Sequence, residues 1–317
     1  MGTKMLQQYV DKIALRVASQ VNLDKVIIAQ SLLHVRANKN LKQIENLSEV
    51  EFRGFSQWGE DGILNWLVDK IPNISHSFIE FGVENYRESN TRLLLWLRNW
   101  RGVVIDGSEK NIEDIRKQDV SWRFDLQSIC AFIDRDNING LITTSGLQGE
   151  IGILSVDIDG NDYWVWDAID VVNPAIVVCE YNAVFGDLNA VTIPYDPTFY
   201  VTQAHYSNLY FGASIQAVIE LGKRKGYQLV GTNSNGCNAF FVRDDYAGVV
   251  LEAIDNVKIY PSCFRAARDK EGGLTLVRGS MRAEAISHLP VFDIKRNETM
   301  ALVSCGELYS PDWAGRI

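Results

Sequence analysis

From residue 76 onward the chain repeats one pattern, in which a short apolar run closes on an acid and a stretch with helical spacing follows. Ser77-Phe78-Ile79-Glu80-Phe81 reads as a strand and Asn90 to Trp100 as a helix. Gly102-Val103-Val104-Ile105-Asp106 is a second strand, with a helix over Lys110 to Lys117. A weaker strand falls between Ser121 and Ile133, with a helix around Asn137 to Thr144. Ile151 to Asp157 and Pro174 to Glu180 are strands flanking a helix over Trp164 to Val171. A helix over Ser214 to Lys225 leads to a closing pair, Tyr227 to Gly231 and Ala239 to Arg243. Parallel strands need crossovers of this length, so the alternation predicts an α/β doubly wound sheet with helices on both faces. A final hairpin in place of a crossover predicts an antiparallel edge.

Three segments follow. Residues 1–55 form an N-terminal helical extension, with helical spacing in Met5-Leu6, Tyr9-Val10, Ile13-Ala14 and Val17, and a second helix over Leu23 to Val35. Residues 56–243 hold the sheet, entered through a helix that opens at Ser56 to Asp61 and ends near Pro72. Residues 244–317 carry no usable motif and can form a cap or a homo-oligomer contact.

The charge balance narrows the ligand. Forty acidic side chains oppose 31 basic ones, a formal net charge of -9, which argues against a nucleic-acid partner. No apolar run reaches the roughly 18–20 residues of a membrane span, and the start of the chain lacks a signal-like basic and apolar region. The five cysteines are odd in number and contain no Cys-x-x-Cys pair, so neither a disulfide framework nor a thiolate zinc site is expected. The expected location is the cytoplasm.

In open α/β sheets ligands bind beyond the carboxyl ends of the strands. Here four strands end in acids: Glu80, Asp106, Asp157 and Glu180. The first turn, Glu80 to Asn85, keeps only Gly82 of a dinucleotide fingerprint, and Glu84 would repel a diphosphate. A nucleoside without phosphates suits it better, because Gly82 permits close backbone approach and Asp106 can accept ribose hydroxyls. S-adenosylmethionine meets these terms. Gln57 and Asp61 are candidates for its amino-acid end, and Asn90, Gly107 and Ser108 lie in the adjoining turns. Taken singly, Gly82 also reads as an ordinary tight turn, and Gln57 and Asp61 as a helix start capped by Ser56.

Ser56-Gln57-Trp58-Gly59-Glu60-Asp61, Phe78 to Gly82, Ser89-Asn90-Thr91 and Trp100 to Asp106 occur in that order. With Ser155 to Asp162 and Val178 to Asn182, this series resembles the FkbM-type S-adenosylmethionine-dependent methyltransferases over roughly residues 56–243. The resemblance implies a Rossmann-like methyltransferase fold and methylation of hydroxyls on sugars, glycans or secondary metabolites. It also implies that Glu80, Gly82 and Asp106 belong to the cofactor site. The chain departs from the family pattern at Asp106-Gly107-Ser108, where many members have Glu-Pro, and at Asp157-Ile158-Asp159-Gly160, where Asp-x-Glu-Gly is usual.

The ends of the fourth and fifth strands supply the candidate chemistry. Asp157, Asp159 and Glu180, with Asp162 nearby, are hard oxygen ligands that suit Mg²⁺, Mn²⁺ or Ca²⁺. Without a cation, crowded carboxylates raise one another's pKa and one can act as a general base. Asp-x-Asp-Gly is also a plain tight turn, and Asp162 a helix cap. His205, in the loop before the helix at Ser214, is a further candidate base. Tyr181, Asn182, Tyr195 and Tyr210 can orient a hydroxylated acceptor.

The expected activity is S-adenosylmethionine-dependent O-methylation of a hydroxyl on a small molecule or glycan. A metal-dependent nucleotide-sugar glycosyltransferase and a non-catalytic methyltransferase-like binding module are the alternatives.

Overall fold

The computed structural model describes residues 23–262, 264 and 266–316. The helical spacing expected before residue 23 lies outside the described residues.

The main sheet has seven strands in the order β3-β2-β1-β4-β5-β8-β7. These are β1 (Ser77–Phe81), β2 (Arg101–Asp106), β3 (Leu126–Cys130), β4 (Gly149–Val156), β5 (Val172–Glu180), β7 (Tyr227–Thr232) and β8 (Asn238–Arg243). β1 to β5 pair in parallel, and β8 lies antiparallel to both β5 and β7. The antiparallel strand is therefore inside the sheet, and the edge strand β7 runs with the others. The closing pair β7–β8 is thus the antiparallel hairpin expected at this edge, with β7 outermost. Burial explains the order: Ala239, Phe240, Phe241 and Val242 are fully buried and apolar, which suits an interior strand, whereas β7 exposes Gln228.

Each central strand divides its side chains between two cores, one per face of the sheet. Ile79, Phe81, Val103, Ile105, Leu154 and Val156 pack on one side. Phe78, Val104, Ile153, Ile176, Val178 and Phe240 pack on the other. Close packing also fixes glycines here, since a Cβ on Gly102 would lie 2.1 Å from the Phe78 ring.

The extensions join these cores. β6 (Val191–Thr192) pairs with β9 (Pro290–Asp293), which pairs with β10 (Glu298–Ala301), giving a second sheet of three strands. Ala283, Ile286, Val291, Leu302 and Trp313 pack into the same core as Ile79 and Leu154. The C-terminal segment is thus continuous with the sheet's own interior. The helix Leu23–Asn38 is tied in by Asn38 Nδ2 donating to Val50 O (2.7 Å) and by an ion pair from Asp24 to the buried Arg92 (3.3 Å). Among the described residues no helix is long and apolar enough to cross a membrane.

Candidate functional site

The strand order reverses between β1 and β4: from β1 the chain winds out to β3, then returns beside β1 and continues to β5. Beyond the carboxyl ends of these strands lies a cavity of about 420 Å³, where an open α/β sheet receives its ligand. Gly82, Asp106, Asp157, Asp159 and Asn161 line it from the strand ends.

Gly82 is indispensable to this geometry. Its φ is +67°, and a Cβ there would lie 1.7 Å from Asp157 O. Its N–H donates to Ile105 O at 3.0 Å, so the turn after β1 is drawn between β2 and β4. Glu84 and Tyr86 follow with φ of 47° and 60°, left-handed positions that few non-glycine residues occupy.

Asp106 closes β2 with its carboxylate held by three donors. Oδ2 accepts from Glu84 N (2.8 Å), and Oδ1 accepts from Ser108 N (2.8 Å) and Asn111 Nδ2 (3.1 Å). A carboxylate oxygen can accept two bonds, so Oδ2 retains capacity for a ligand hydroxyl. Ser108 caps the helix Glu109–Arg116 through Asn111 N. Opposite stand Ile133 and the half-exposed Phe132, which give the cavity an apolar wall beside the acid. Gly82, Asp106, Gly107 and Ser108 are thereby brought together in one cavity.

Gln57, Asp61, Glu80 and Asn90 are not among the lining residues. Gln57 is exposed. Asp61 is buried, and its Oδ2 accepts the N–H groups of Gly54 (2.9 Å), Phe55 (2.6 Å) and Ser56 (2.7 Å). Desolvation pushes its pKa up to about 7 against those bonds. Glu80 is 4% exposed and binds its own turn: it accepts from Ser89 Oγ, Asn90 N, Thr91 N and Thr91 Oγ1. Burial raises its pKa and these donors lower it. Asn90 Nδ2 donates to Ser155 Oγ on β4. These side chains hold the turn that carries Gly82 and Glu84.

The acidic group differs from the expected one. Ligand oxygens of Asp157, Asp162 and Glu180 lie within 4.8 Å of one another, and Asp159 is outside this set. The correction has a backbone cause. Asp159 occupies a left-handed position (φ 54°) in the tight turn after β4. Asp162, in the first turn of the helix Asp162–Ala168, folds back to accept from Ile158 N (2.7 Å) and Gly160 N (2.9 Å). Desolvation raises the Asp162 pKa to about 6, opposed by those two bonds and assisted by the Asp159 charge. Of the three, Asp157 is the one that lines the cavity.

His205 does not line the cavity. Its Nδ1 lies 2.7 Å from Ser207 Oγ, and its ring is tilted against Tyr206 and edge-on to His288. Burial, with His288 and Lys270 nearby, lowers its pKa. Tyr181 and Tyr210 spend their hydroxyls on Tyr260 O and Pro290 O, and Asn182 spans Leu209 O and Phe211 O. Tyr195 lies under the Arg135 guanidinium, 3.9 Å from its ring centroid. The cavity's remaining wall is Phe199, Tyr200, Val201 and Thr202, for which the sequence offered no periodic signal. Asn111 was legible only as a helix residue, although one turn of helix carries it back to Asp106.

No family model matches this chain, and no curated protein matches it. Solved structures do. An S-adenosylmethionine-dependent methyltransferase from Clostridium acetobutylicum is similar at a TM-score of 0.37 and 11% identity, covering 58% of this chain and 90% of its own. The CurJ carbon methyltransferase gives a TM-score of 0.38 and 10% identity over 58% of this chain and 52% of that one. An O-methyltransferase family protein from Burkholderia thailandensis gives 0.34 and 13%, over 58% of each chain. This chain thus spans little more than half the length of the latter two. At these values the likenesses carry no statement about activity; the chain itself folds as a mixed α/β protein around a seven-stranded, mostly parallel sheet.

Proposed function

We propose that this protein is an S-adenosylmethionine-dependent O-methyltransferase acting on a hydroxyl of a sugar or similar polyhydroxylated molecule. The observation that carries the reading is Asp106 facing the cavity beside Gly82, whose missing side chain lets the β1 turn close against β4. Asp106 Oδ2 would accept a ribose hydroxyl, with Phe132 and Ile133 offering an apolar surface to a base. The residue set fits a nucleoside without phosphates: Glu84 and Asp106 face the cavity, and among the described residues no Lys, Arg or His lines it. A nucleotide-sugar diphosphate would meet like charge there, which weighs against the glycosyltransferase alternative.

When bound, S-adenosylmethionine supplies an electrophilic methyl group on a sulfonium centre. The chain's own residues orient the acceptor and receive its proton. Asp157 lines the cavity, with oxygens of Asp162 and Glu180 within 4.8 Å, and is the carboxylate placed to receive that proton. The same three oxygens are spaced to hold Mg²⁺ or Mn²⁺, which would orient the acceptor hydroxyl and lower its pKa.

Calorimetric titration with S-adenosylhomocysteine tests the reading. The wild type should bind it, and Asp106→Asn should weaken binding at least about tenfold, as for a lost charge-assisted hydrogen bond, while the protein stays folded. Wild-type protein stabilised by UDP with Mn²⁺ and indifferent to S-adenosylhomocysteine would overturn it.

A further inference from the structure

Asn161 follows the turn after β4 and is 3% exposed, yet it lines the cavity. Its two amide ends differ. Nδ2 donates to Asp196 O at 2.7 Å; a carbonyl partner requires the nitrogen at that end. The other end, Oδ1, is buried and has no hydrogen-bond partner within the protein. A buried acceptor left unsatisfied costs about 1–3 kcal/mol, so a ligand donor at this place would recover that cost.

The surroundings bear on which part of a ligand this oxygen would meet. The ribose-binding acid, Asp106, stands at the end of β2, with β1 between it and β4. Asn161 follows β4 and lines the cavity together with Asp157 and the wall of Phe199, Tyr200 and Thr202. Gly160 lets the Phe199 ring lie against the turn, since a Cβ there would sit 2.5 Å from Phe199 Cδ1. The Asn161–Asp196 bond holds the start of the same loop. One side chain therefore fixes this wall with its nitrogen and keeps an unpartnered oxygen, in a residue that lines the cavity along with Asp157.

We infer that Asn161 is a positioning residue for the methyl acceptor: its Oδ1 accepts a hydrogen bond from an acceptor hydroxyl and sets that molecule's orientation against Asp157. The inference rests on the methyltransferase reading above and adds the residue that holds the acceptor. It requires an acceptor with a donor group at this point, and it assigns the loop 196–202 to the acceptor side of the site.

The test uses the full chain, S-adenosylmethionine, and methyl glucoside, methyl mannoside and methyl rhamnoside as acceptor probes. Asn161→Ala should raise the acceptor KM about tenfold, the effect of one lost neutral hydrogen bond, with S-adenosylhomocysteine affinity unchanged. Asn161→Asp keeps an accepting oxygen and loses the donor to Asp196 O. It should restore most of the acceptor KM even though its loop is less firmly tied. An Asp variant no better than the Ala variant would overturn the inference, since only the loop clamp would then matter. Equal loss of cofactor affinity in both variants would also overturn it. Wild-type protein that binds S-adenosylhomocysteine but methylates none of the three probes would refute both this assignment and the sugar reading, while leaving the cofactor site intact. Failure to bind S-adenosylhomocysteine would refute the reading on which all of this rests.

Discussion

Replacing Glu80 with glutamine separates a cofactor ligand from a residue that holds a turn. Glu80 is 4% exposed, and its carboxylate accepts Asn90 N at 2.8 Å on one oxygen. The other oxygen accepts Ser89 Oγ at 2.9 Å, Thr91 N at 3.1 Å and the Thr91 hydroxyl. In Glu80→Gln the amide oxygen can occupy only one of these positions. Placed toward Thr91, it sets the amide nitrogen against Asn90 N, donor against donor, in a site closed to water. The unsatisfied N–H costs about 1–3 kcal/mol, and the three surviving bonds lose the assistance of a full charge. We expect a net destabilisation of about 2–4 kcal/mol. For a chain of 317 residues that corresponds to roughly 3–6 °C in Tm, read by circular dichroism. Because Glu80 does not line the cavity, the folded variant should bind S-adenosylhomocysteine within about threefold of wild type, a difference below 1 kcal/mol. The reasoning fails if Glu80→Gln melts with the wild type and has lost its ligand, since Glu80 would then touch the ligand itself.

Two further perturbations probe the supports of the site. Asp61 has a folded pKa of about 7 against an ordinary value of 3.8, so its contribution to stability is full in acid and is lost as pH rises through 4 to 7. Asp61→Asn should flatten the stability–pH curve in that window, and an unchanged slope in denaturant melts would discard this account. Asp24 reaches Arg92, whose side chain is 2% exposed, from a position that is 35% exposed. Asp24→Asn leaves a buried guanidinium short of its counter-charge, at a cost discounted for solvent access to about 1–3 kcal/mol. Urea melts should show it, and a variant as stable as wild type would mean that Arg92 is satisfied by Tyr86 O and Gln118 alone.

Most of the sheet was legible because strands buried on both faces must be apolar throughout. β1 falls on Ser77–Phe81 as read, and β2, β4 and β5 differ from expectation only at their ends. The place of β8 was not legible. A hairpin signal says that two strands turn back on each other, without saying which of them meets β5; that depends on which strand tolerates burial on both faces. Gly82 and Asp106 were legible as positions that line the cavity, since one needs freedom at positive φ and the other closes a strand. Gln57, Asp61, Glu80 and Asn90 fall outside the cavity lining, and the sequence could not separate them from Gly82 and Asp106. A polar side chain near a ligand and one that satisfies a buried turn carry the same signature in sequence, and only the hydrogen-bond partners distinguish them.

The sequence by itself determined the alternation of strands and helices, the acids at the strand ends and the glycine at the first turn. These follow from local periodicity and from backbone freedom, properties a residue carries wherever it is placed. Tertiary structure decided which acids meet. The left-handed turn at Asp159 and the return of Asp162 to the N–H groups of Ile158 and Gly160 put Asp162, and not Asp159, beside Asp157 and Glu180. It also decided that Asn161 is buried with one amide end engaged and that a loop 35 residues further on faces it. Such distances across the chain are set by packing, and no local pattern records them.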